Sequence, residues 1–166
     1  GKFLQAAPLL LAAACLWLTV ASASAAGVAL ALSDFFLVDS SGEARDQSAE
    51  HAERLKRMGE MVATELSGSG SFVLVQMSCP PPGCNGQAMK LEELLQRART
   101  AGARFLAVGA VEKMSTLVLW SRLEVYDVAS GKLAFNRLFT FRGDNDEAWR
   151  RAALYMARDL LRNAPQ

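Results

Sequence analysis

Three groups of residues in this chain have the types and spacing to do chemistry. The first is Cys79 and Cys84, in the stretch MSCPPPGCNG, where three prolines and a glycine fill the gap between the sulfurs. A disulfide clamp on a small loop suits that spacing. Thiol exchange of the thioredoxin type favours C-x-x-C at a helix start instead. Zinc needs further ligands, and the single histidine, His51, lies in a distant helical stretch. A redox or partner-linking role and a metal site remain the alternatives to the clamp.

The second group is Arg142, Asp144, Asn145, Asp146, Trp149 and Arg150, the densest polar cluster in the chain. As a recognition surface, its arginines would grip a carboxylate or a partner's backbone. As structure, Asp144 stands three residues before Glu147, the spacing of a capping box, and Trp149 packs on a sheet. The third group is Trp120, Arg122 and Tyr126, which share one face of a strand. Aromatic and arginine side chains together suit a protein interface. Whether a further helix covers that face is left open by the sequence. No serine triad is indicated, since His51 sits among charged positions and is expected on a helix surface. Asp144 and Asp146 as an acid–base pair have no accompanying sugar or phosphate pocket.

These groups depend on the elements that carry them. GVALALSDFFLVD (27–39) is apolar almost throughout and predicts one strand buried on both faces. Ala52, Leu55, Met58, Val62 and Leu66 recur every three or four residues, the stripe of an amphipathic helix begun by a Ser48 cap. FVLVQM (72–77) predicts a second strand. Leu91, Leu94, Leu95 and Ala98 mark a second helix over 89–101, and RFLAVGAVEK a third strand in which Gly109 admits a close neighbour. Leu117 to Gly143 alternates with period two around Ala129-Ser130-Gly131-Lys132, a hairpin. Phe135, Phe139 and Phe141 share the core parity, and Arg137 is expected at the sheet margin with its stem buried. A last helix carries Trp149, Ala153, Met156 and Leu160. The order is β-α-β-α-β-β-β-α, an α/β (α+β) fold in which helical crossovers imply parallel pairing, followed by an antiparallel meander.

The 166 residues suit one ordinary domain, and 18 Lys plus Arg against 17 Asp plus Glu leave a net charge of +1. That balance argues against a nucleic-acid binder or a polybasic membrane module. No charged side chain occurs from Phe3 to Ser33, and the apolar run Leu9–Val20 precedes ASASAAG. This pattern predicts a signal peptide over 1–26, cleaved near Ala25 or Ala26, and a single periplasmic domain over 27–166. The alternatives are a retained membrane anchor and lipidation at Cys15. Export leaves two cysteines in an oxidising compartment, which favours their pairing.

The opening strand VALALSDF, the helix end VATELSGSGSFVLVQ and the block ARTAGARFLAVGAVEKMSTLVLWSRLEVYDVASGKLAF resemble the amino-terminal domain of TolB and its relatives, including the core of CsgG. More closely, GCNG with VEKMSTLVLWSRLEVYDVASGKLAF and RGDNDEAWRRAALYM is similar to a family of small secreted proteobacterial proteins of unknown function. The resemblance covers about residues 27–162 and implies a periplasmic α/β domain with no established reaction. Members of such a family often carry C-x-x-C, from which CPPPGC departs.

The expectation is a non-catalytic, exported domain that binds protein, without a cofactor, as an accessory or assembly factor of an envelope complex. One specific version is a small subunit held by a retained leader beside a membrane-associated dehydrogenase. The rival is a small-ligand or thiol-redox module using Cys79 and Cys84. The partner-binding candidates are Arg142, Asn145, Trp149, Arg150, Trp120, Arg122 and Tyr126.

Overall fold

The computed structural model describes residues 1, 3 and 26–166. The expected signal peptide, anchor and Cys15 fall outside the described residues, apart from those few positions. Nine elements follow in order: β1 (Val28–Leu32), β2 (Phe36–Asp39), α1 (Ser48–Gly68), β3 (Phe72–Val75), α2 (Leu91–Thr100), β4 (Phe105–Lys113), β5 (Val118–Asp127), β6 (Leu133–Arg142) and α3 (Asp146–Arg162). They build a mixed sheet in the order β3-β1-β4-β5-β6, with β2 also on β4. The first pairings are parallel, and the β4-β5-β6 meander is antiparallel.

The predicted architecture holds, with one correction at its start. The run 27–39 is two strands rather than one. Leu32 stands opposite Ala107 and Phe36 opposite Ala110, so three residues, Ser33 to Phe35, face two on β4. One extra residue in a strand reverses which face the following side chains take. Phe35 therefore turns towards the helices, where its ring lies over Gly109. A Cβ at that position would run into the ring, so glycine is required. Phe36 turns to the opposite face. Without the extra residue, a strand in the register of β1 would set Phe36 against Val111.

One sheet face is closed by α1 and α3. Met58, Val62 and Leu66 meet Trp149, Met156 and Leu160 over Phe105, Val111, Leu119, Leu123 and Phe135. Each large side chain buried here is worth about 1.5–3 kcal/mol. On the other face α2 sets Leu94, Leu95 and Ala98 against Ala31, Leu106 and Cys84. It reaches no farther than Tyr126, so the same face of β5 and β6 has no helix over it among the described residues. Within those residues no helix is long and apolar enough to cross a membrane. Ser48 does not cap α1; its amide and hydroxyl both donate to Asp46 Oδ1, at 3.0 and 2.6 Å. Arg137 lies at the margin as expected, with Phe135 beneath its guanidinium.

Candidate functional site

The uncovered half of the sheet carries a groove of about 420 Å³. Phe36 and Val38 of β2, Val108 of β4 and Trp120 of β5 line it, with Leu138 on β6 and Met89 on the loop before α2. The extra residue between β1 and β2 is what brings Phe36 here. Arg122, Glu124 and Tyr126 supply the polar groups. Tyr126 Oη donates to Glu124 Oε2 at 2.6 Å, and Arg122 Nη1 lies 3.4 Å from Glu124 Oε1. Burial, then the neighbouring carboxylate, pushes the Tyr126 hydroxyl up to about 12. It therefore stays a neutral donor at any physiological pH. The three strand residues predicted as a surface are thus brought together, and an apolar wall is added.

The wall is fixed by the sulfur pair. Cys79 and Cys84 are joined, with an S–S distance of 1.98 Å. Cys84 is buried under α2, whereas Cys79 is exposed. Asp34, in the connection between β1 and β2, donates its amide to Cys84 O at 2.7 Å and accepts from Cys84 N at 3.1 Å. Arg97 of α2 reaches Ser78 O at 2.6 Å. The loop is therefore tied to the sheet and to the helix, and its continuation supplies Gly86 and Met89 to the groove.

The polar cluster at 142–150 divides differently from either sequence reading. Gly143, at φ +97°, turns the chain so that Asp144 points inward. The Asp144 side chain is 4% exposed, and four donors or partners surround it. Lys113 Nζ lies 2.8 Å from Oδ2 and His51 Nε2 2.7 Å from it; Arg54 Nη1 and Trp149 Nε1 donate to Oδ1 at 3.1 and 2.9 Å. Lys113 is fully buried and also donates to Glu43 at 2.5 Å and Gln47 at 2.6 Å. Burial alone would raise the Asp144 carboxyl, but the lysine, the histidine and the indole bring it down to about 2. Burial alone would lower the Lys113 ammonium; Asp144 and Glu43 outweigh that and raise it. With both carboxylate oxygens taken, Asp144 joins α1, β4 and α3 and has no lone pair directed at a substrate.

Several expectations are corrected by this geometry. His51 is buried against Trp149, at 6.1 Å between ring centroids, and is not on the helix surface. Trp149 is 1% exposed and offers no surface to a partner. The cap of α3 is Asn145, whose side chain accepts from Ala148 N at 2.9 Å, so Asp144 and Glu147 form no capping box. Arg150 is occupied by Glu147 at 2.9 and 2.7 Å. Arg142 is exposed and, opposite Val118, shares the sheet face of Trp120 but does not line the groove. Sequence reasoning missed Lys113, although it shares the parity of Phe105, Ala107 and Val111. A cation at a core position signals a buried partner. Among the described residues no group of three His, Cys, Asp or Glu side chains is placed to hold a metal.

The fold recurs in solved structures. PelC from Paraburkholderia phytofirmans, a dodecamer, is 20% identical, with a TM-score of 0.52 over 87% of this chain and 92% of that one. A point variant of the same dodecamer gives 18% identity and the same TM-score of 0.52, over 86% and 92%. TolB from Acinetobacter baumannii is 17% identical, with a TM-score of 0.47 over 84% of this chain and 29% of its own. Identities this low speak to the fold alone. Among curated proteins nothing matches the chain. The family DUF3280, described as "Protein of unknown function (DUF2380)", matches residues 28–161, the whole sheet and all three helices but for the last residue of α3, and the chain belongs to that family.

Proposed function

We propose that this is an exported, non-catalytic domain of the cell envelope that docks a partner protein in the groove beside Trp120, as an accessory or assembly factor. The observation that carries this reading is the half-covered sheet face. Trp120, Arg122 and Tyr126 are the residue types enriched at binding hot spots, and Leu138, Phe36 and Val38 add an apolar wall beside them. The same fold in PelC occurs as a dodecamer, a precedent for protein–protein contacts on it. Residues 1–26 act as the export signal in this reading. In the version where they are retained, the partner is a membrane-associated dehydrogenase complex.

The test is capture of the partner from envelope extracts by the chain and by a Trp120→Ala/Arg122→Glu variant. A partner retained by the native chain and lost at least tenfold by the variant is expected, since two such residues typically carry several kcal/mol. Equal retention by both would remove the groove from the interface. A small ligand is the second reading, favoured by the groove volume, which falls within the usual range of about 300–1,000 Å³. Native mass spectrometry of chain purified from its own envelope would then show an added mass.

A further inference from the structure

The sheet has a second unfinished surface, its outer edge, which meets the groove at Leu138. β6 is its outer strand, ten residues long, and nothing pairs with its far side among the described residues. Gly143 N donates to Leu117 O at 2.9 Å, which makes Leu117 and Gly143 a hydrogen-bonded pair. In an antiparallel ladder such pairs alternate, so the odd residues of β6 bond to β5. Asn136, Leu138, Thr140 and Arg142 therefore turn their amides and carbonyls outward. Long bare edges of this kind are normally blocked by bulges, charges or cover, because they template strand addition.

Beside this edge runs a trough of about 390 Å³ between β6 and α3, with Phe139, Phe141 and Tyr155 as its apolar part and Arg142 and Arg151 at its rim. The exposed side of α3 continues it with Arg150, Arg158 and Arg162. Their counter-charges are few. Glu147 is held by Arg150, Glu65 by Arg158, and Asp159 is taken by Arg137 at 2.6 Å. Arg151 lies 3.7 Å from the already occupied Glu147 and is 65% exposed. The chain as a whole is almost neutral, yet on this side Arg137, Arg142, Arg150, Arg151, Arg158 and Arg162 have only Glu65, Glu147 and Asp159 as paired carboxylates.

We infer that the β6 edge takes up an extended acidic segment of another protein as an added strand, its backbone on Leu138 and Thr140 and its carboxylates on Arg142 on the Trp120 face and on Arg151 on the α3 face. Strand addition of this kind draws affinity from main-chain bonds and specificity from alternate side chains. A second copy of this chain is disfavoured, because antiparallel β6–β6 pairing would bring the arginines of α3 against those of its twin. This surface goes beyond the proposed function; it shares Leu138 with the groove but neither residue of the Trp120→Ala/Arg122→Glu test.

The experiment uses the full chain and two short synthetic peptides, one alternating valine with glutamate and one with lysine at every glutamate position. The acidic peptide is expected to bind at least tenfold more tightly, to weaken with added salt, and to protect the Leu138 and Thr140 amides from hydrogen exchange. Arg142→Glu with Arg151→Glu should reverse the preference. Leu138→Pro removes an outward amide and no β5 bond, so it should abolish binding by either peptide. Equal binding of both peptides, protection elsewhere, no binding of the acidic peptide, or self-association that protects the same amides would each overturn the inference. So would binding of the chain to anionic lipid vesicles in place of the peptide.

Discussion

Asp144 gathers donors from three distant segments onto one carboxylate, in a place where water cannot replace any of them. Removing its charge leaves Lys113 with Glu43 as its one carboxylate and Arg54 with the exposed Asp146, and breaking a buried pair from one side is far costlier than lacking the pair altogether. Asp144→Asn should therefore lower stability by roughly 3 kcal/mol in urea unfolding. Adding Lys113→Met should recover part of that. The acid limb has a defined sign as well. The Asp144 carboxyl sits at about 2 against an ordinary 3.8. Its contribution, roughly 2 kcal/mol, is complete above about pH 4 and disappears as pH falls through the folded value. Stability measured across that window should fall less steeply in Asp144→Asn than in the native chain. Apart from the core parity of Lys113 and the nearness of Asp144 to Trp149, this cluster was not legible from spacing, because 43–54, 113 and 144–149 meet only through the topology. His51 sits among charged neighbours in sequence, and its position on the buried side of α1 depends on where α3 lies.

The helices and the meander were readable, since each has an apolar period that survives without its neighbours. Met58, Val62 and Leu66 of α1, the stripe of α3 and the parity of Phe135 are found where the sequence puts them, whereas Ala52, expected in the α1 stripe, is exposed and the adjacent His51 is buried instead. The division of β1 from β2 was not readable. A strand buried on both faces shows no alternation, so an extra residue between 32 and 36 leaves no mark on the pattern. Helix starts were also misread, by one residue at α3 and through Ser48 at α1, because Asp, Asn and Ser all serve as caps and several crowd each boundary. The assignment of the α3 cap is easily checked. Asn145→Ala should cost about 1 kcal/mol, while Glu147→Ala should cost distinctly less. Thermal melts of the two variants would rank them.

The molecule as a whole has a closed side and an open one, and Trp149 and Trp120 mark the difference. Trp149, buried between α3 and the sheet, should cost about 3–5 kcal/mol when cut to alanine. Trp120, half-buried on the uncovered face, should cost about 1 kcal/mol or less by the same denaturation measurement. A reversed order would mean that the open side is the true core.

The loop bearing Gly86 and Met89 is held by a covalent bond that forms where thiols are oxidised. The core under α1 and α3 and the contacts of Asp144 involve neither cysteine. A chain produced in a reducing host should thus reach the same overall fold with one wall of its groove left slack. Recombinant material would then look correctly folded by every bulk criterion and yet be immature along that wall of the groove.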